Sequence, residues 1–270
     1  LPAAWEQHGG VFLPMYQSEA LWLDLSFNRW LGDYPCAVKV ATGKINAVSG
    51  DPWSDALRSG PQDYLIIPEQ QWLDGFAVGQ GFIRQFVAMP LGAGFSAEEQ
   101  LTHAAVHGGL QLLVCPMKRA VFEVIQPQRE AARQREVQYS YLPGFGDVMG
   151  DEGPTEMALS PGGLMRQQIE RDPYGLDAWD QSAAARCFVH LVNSQTYAAI
   201  TGQVPPHPPL TAEDYAKAKM PWFEFYNENN HGVPGSAKLA GLDSVAAQYI
   251  KKGGMLPDNK SVVSDRVINL

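Results

Sequence analysis

Cysteine is nearly absent: the 270-residue chain holds only Cys36, Cys115 and Cys187. An odd, widely spaced set cannot pair completely, so a full disulfide framework is excluded and a reducing, cytoplasmic setting is expected. No stretch approaches the ~20 apolar residues that a membrane-crossing helix needs. Residues 1–30 also lack the basic segment and clean apolar run of a secretory leader, because Glu6, His8, Gln17, Glu19 and Asp24 interrupt them. The chain therefore reads as soluble, with no membrane partner. Charge is scarce as well, at 18 % against a usual share of roughly 25 %. What there is leans acidic, with a net charge of −9, and no basic patch stands apart to meet a polyphosphate backbone, so nucleic acid is not an expected partner. Neither a G-x-S-x-G elbow nor a phosphate-binding P-loop occurs. Gly79-Gln80-Gly81 opens like a dinucleotide fingerprint, but Arg84 stands where the third glycine belongs. A strand follows it rather than a helix, so no Rossmann cofactor site is expected and no other cofactor is implied.

Apolar residues make up 45 % of the chain, a normal share for a folded interior. Glycine and proline together reach about 17 % where roughly 12 % is average, which predicts many turns and disfavours an all-helical bundle. β-Branched residues flank Thr42-Gly43 within residues 35–50, the pattern of a tight hairpin. Tyr64–Pro68 reads as a strand, and Gln71–Val78 and Phe82–Met89 flank the Gly79-Gln80-Gly81 turn as a second hairpin that Pro90 ends. Gly108–Pro116 reads as a buried strand opened by glycines and closed by proline, and Ala120–Ile125 as a further strand. Between the second hairpin and Gly108, Ser96 and Glu99 form a capping box, so Ser96–His107 reads as a helix, the alternative being a strand paired with Leu110–Cys115.

Past Pro127 the character changes. Residues 128–137 read as an exposed charged helix, and 138–163, dense in glycine and proline, as a long loop. A long helix is expected from Asp180 or Ser182 to Gly202, followed by shorter helices after Thr211 and after Asp243 or Ser244. The expected fold is α+β: an antiparallel β sandwich or barrel-like core over 1–126, the charged helix and Gly/Pro-rich loop over 127–163, and a helical, loop-rich part over 164–270 packed on the core, or all of it one integrated unit.

Two hexamers, Glu19-Ala20-Leu21-Trp22-Leu23-Asp24 and Glu69-Gln70-Gln71-Trp72-Leu73-Asp74, share E-x-x-W-L-D at a spacing of 50 residues. Coincidence explains so short a match, whereas duplication would set two related β units about a pseudo-dyad. The hexamers supply the candidate chemistry. Glu19, Asp24, Glu69 and Asp74 are carboxylates that tryptophans could shield from water, which suits divided acid and base roles. Trp72, Asp74 and Arg84 form a candidate ligand-binding set: the indole stacks, the guanidinium orients, and Asp74 or Glu69 accepts hydrogen bonds. An ordinary Arg–Asp pair that fixes hairpin register accounts for the same residues. His103 and His107, four apart, would share a helix face as zinc ligands do, but no glutamate follows the first and no third ligand is defined. Cys187 and His190 are read as buried on one side of the long helix. Trp222, Phe223, Phe225 and Tyr226 form an aromatic run that suits docking on the chain's own body or a contact with a second copy.

The segments Trp72-Leu73-Asp74-Gly75-Phe76, Ile83 to Gly92 (IRQFVAMPLG) and Pro221-Trp222-Phe223 resemble parts of a group of uncharacterised microbial proteins. That resemblance implies one integrated unit from residue 1 to about 250 and transfers no catalytic residue. The function expected is binding of a small polar ligand or a protein partner in a cleft between the β core and loop 138–163. Its rivals are a carboxylate-based hydrolase or isomerase, with or without metal, and an assembly subunit.

Overall fold

The computed structural model describes residues 5, 9–26, 34–136, 156–205 and 232–254, with the side chains of 131–136 and of residue 156 left aside. The Trp222–Tyr226 run and most of the 138–163 stretch lie outside them.

The first hairpin joins β4 (Cys36–Thr42) to β5 (Ile45–Asn46). Gly43 and Lys44 both take positive φ, 53° and 58°, which matches the right-handed twist of the flanking strands. β6 (Leu65–Ile67) pairs with β4 on its other part. The second hairpin joins β8 (Gly75–Gly79) to β9 (Phe82–Pro90). A Cβ on Gly75 would fall on the Arg84 carbonyl, so only glycine lets these two backbones meet there. β10 (Leu110–Pro116) lies between β4 and β12 (Ala185–Val192), and β11 (Glu156–Arg166) lies between β9 and β12. With β2 (Ala20–Leu21) on β9, the sheet runs β2-β9-β11-β12-β10-β4-β5, and the one parallel pairing among the described residues is β1 (Val11–Pro14) on β12. The molecule is α+β and strand-rich, built on one large, mainly antiparallel sheet.

Alternation along the strands decides what covers each face. Val38 and Val40, Leu65 and Ile67, Phe76, Phe86 and Ala88, Leu110, and Met157 and Leu159 all enter one buried cluster. Strands from both halves of the sheet thus point into a common interior, and the sheet curls around it. Ala37, Ile66, Leu113 and Cys115 face the other way, onto Tyr64, Trp179 and the helix α2 (Arg119–Glu136).

Three expectations need correction. Ala120–Ile125 is helical, not a strand: Val121, Phe122 and Ile125 repeat at helical spacing and pack on the second cluster, while Val124 is 72 % exposed. The long helix from 180 to 202 is instead a short 3-10 turn at Gln181–Ala183, the strand β12, and the helix α3 (Ser194–Thr201). Pairing on both sides, to β10 and to β1, overrides the helix propensity of the alanines. Asn193 caps α3 by accepting from the Thr196 amide, and Gly202 ends it in the left-handed region. On this strand Cys187 and His190 are an odd number of residues apart, so they cannot share a face. Finally, residues 156–163 are not loop but the first part of β11.

Candidate functional site

The helix α1 (Ala97–Thr102) has the expected capping box, with the Ser96 side chain accepting from the Glu99 amide and Glu99 reaching back to the Ser96 amide. It stops at Thr102, because His103 turns left-handed with φ 59°. His103 and His107 are consequently exposed positions on a connection, not neighbours on one helix face. The carboxylate of buried Glu98 shapes that connection, accepting from the amides of Val106, His107 and Gly108 at 2.9–3.0 Å. Among the described residues no group of three or more His, Cys, Asp or Glu side chains is arranged to hold a metal ion. No helix among them is long and apolar enough to cross a membrane.

The two hexamers do meet. β3 (Leu23–Asp24) pairs antiparallel with β7 (Trp72–Leu73), placing Leu23 opposite Leu73 and Asp24 opposite Trp72. Equivalent leucines thus face each other across a local twofold axis. Leu73 is fully buried, whereas Trp22 is 59 % exposed. The four carboxylates have separate partners. Glu19 accepts from the Tyr16 amide, Asp24 from the Ser26 amide and hydroxyl, and Glu69 from Arg129 and the Tyr174 hydroxyl, both at 2.6 Å. Asp74 is bonded by the Trp72 side chain. Burial raises the pKa of Glu19 above its ordinary value, partly offset by the Tyr16 amide, and burial raises that of Asp74 against the opposing Trp72 bond. Tyr174 is pushed up to about 12, by burial first and then by its bond to Glu69.

Arg84 is placed differently. It lines a cleft of about 590 Å³ on the outer side of the β9–β11 pair. Val87 and Met89 of β9 share its floor with Gly162, Gly163 and Leu164 of β11. There the ladder slips between Pro161 and Leu164, so the two glycines form a bulge. A Cβ on Gly162 would strike Val87, while Gly163 faces open space. The opposite wall is the helix α5 (Val245–Lys251), with its cap Ser244, through Val245, Ala246 and Tyr249, and the rim carries Gln17 and Ser18. α5 starts where expected, Ser244 accepting from the Ala247 amide. Trp72, Asp74 and Glu69 are not on these walls. The contributions of α5 and of the bulge were not anticipated. The Pro161-Gly162-Gly163 triplet inside an otherwise strand-like run was the available signal.

Among the described residues the guanidinium of Arg84 makes one hydrogen bond, from Nη1 to the Gly162 carbonyl at 3.4 Å. Its Nε is buried and meets no acceptor. Among the described residues no carboxylate pairs with it. By contrast, the buried cation Lys39 is fully engaged: it pairs with Asp63 at 2.7 Å and donates to Ser54 and to the Ala56 carbonyl. Lys39 therefore ties down the 54–63 segment, while Arg84 keeps donors to spare. No family model, curated protein or solved structure matches the chain.

Proposed function

We propose that this protein binds a small ligand in the cleft between the β9–β11 pair and α5, with Arg84 as the orienting group. The observation that carries the reading is the buried Nε of Arg84, a donor without an acceptor on the wall of an otherwise largely apolar cleft. Leaving such a donor unpaired costs about 1–3 kcal/mol, which a bound acceptor recovers. The volume of about 590 Å³ falls within the roughly 300–1,000 Å³ of small-molecule sites. Three free thiols support work in a reducing, cytoplasmic compartment.

The test fills the cleft. Ala246→Trp and Gly163→Phe place bulk in the hollow from opposite walls, and a small-molecule library is screened by thermal shift against wild type and both variants. Compounds that stabilise wild type and neither variant support the reading. A library in which every hit stabilises all three proteins equally overturns it.

A further inference from the structure

The cleft selects by charge. Among the described residues Arg84 is the only ionic side chain on its walls; Gln17, Ser18 and Ser244 are neutral, and none of the described lining residues is a carboxylate. Resting on the reading of this cleft as a ligand site, we propose that its ligand is a small organic monocarboxylate with an aliphatic or aryl body.

A guanidinium has five N–H donors in a rigid plane. The Nη1 bond to Gly162 leaves the Nε–Nη2 edge, two parallel N–H groups spaced like the two oxygens of a carboxylate. The Nη1 bond itself, at 3.4 Å, lies beyond the roughly 2.7–3.2 Å of a good N–H···O contact, so it yields readily to a charged acceptor. Amines are disfavoured because none of the described lining residues is anionic. A phosphate monoester carries about −1.5 to −2 charges, and one guanidinium between apolar walls leaves half of that charge desolvated and unpaired. An alcohol meets the two donors with a single uncharged oxygen, where a carboxylate offers two charged ones. The rest of the lining, Val87, Met89, Leu164, Val245 and Tyr249, faces the ligand's body.

Isothermal titration calorimetry on the full chain, with butanoate, hexanoate, octanoate and 4-phenylbutyrate set against octan-1-ol, octylamine and octyl phosphate, tests this. Affinity is expected to rise about fourfold per methylene along the carboxylates. Arg84→Gln is expected to weaken octanoate about tenfold to a hundredfold and to change octan-1-ol by less than about twofold. Arg84→Lys, which keeps the charge and loses the fork, falls between wild type and Arg84→Gln. If Arg84→Gln does not fold, the carboxylate series on wild type and Ala246→Trp carries the test. Octylamine, octan-1-ol or octyl phosphate binding as tightly as octanoate overturns the carboxylate class while leaving the cleft as a ligand site. Binding of no probe that Ala246→Trp abolishes overturns both.

Discussion

At the scale of single residues, the interior holds polar groups under two regimes. Lys39 and Asp63 form a buried pair, with side chains 1 % and 4 % exposed. Removing one partner strands the other charge, so Lys39→Met is expected to lower unfolding stability by about 3–5 kcal/mol, and Lys39→Met with Asp63→Leu to recover much of it. Urea denaturation of the three proteins checks this. Asp74 is the opposite regime, a carboxylate with no cation partner among the described residues, whose folded-state pKa burial lifts above the ordinary value. Such a group favours its protonated form in the native state. Its contribution is full below the unfolded pKa of about 4 and is lost as pH rises through the raised folded value. Asp74→Asn keeps an acceptor for Trp72 and cannot ionise. Its stability is expected to fall less than that of wild type as pH rises from about 4 toward neutrality, measured by urea midpoints across that range.

Among elements, hairpins were the most legible. Residues 36–46 and 75–90 declare themselves through β-branched alternation around glycine-bearing turns, a local signal that tertiary context did not oppose. Elements whose partners are distant in sequence were not legible. β12 becomes a strand because β10 and β1 bind both of its edges, information that no window around Ala185–Val192 contains. α2 hides its helical character because Val121, Phe122 and Ile125 are also good strand residues until the surface they cover is known. Arg84 could be picked out as a cation after a turn; its partners on the wall could not, since α5 arrives from residues 244–249. In the bend after α1 the Glu98 carboxylate accepts from three amides at once, beside the Thr102 hydroxyl that accepts from the Ala104 amide. Glu98→Gln keeps the shape but exchanges one acceptor for a donor facing an N–H. A loss of about 1–3 kcal/mol is expected, together with faster amide exchange at 106–108, read by hydrogen exchange.

Over the whole molecule, the main core draws on residues from Met15 to Leu242. Val233, Leu239 and Leu242 are buried in it, so the chain's later part completes the interior rather than decorating it. A chain ending at residue 205 lacks these side chains and one wall of the cleft. It is expected to lose its cooperative unfolding transition, as followed by tryptophan fluorescence and far-ultraviolet circular dichroism in urea; a sharp transition at the wild-type midpoint would contradict this.

The extra residue in β11 at Gly162-Gly163 also has an evolutionary side. The ladder keeps its register on either side, with Pro161 opposite Phe86 and Leu164 opposite Arg84, so a gene that dropped one of these codons would leave Leu164, Met165 and Arg166 against the same partners and remove only the protruding residue. The hollow would keep its leucine and lose part of its glycine floor without a single point substitution, so its shape can change through chain length alone.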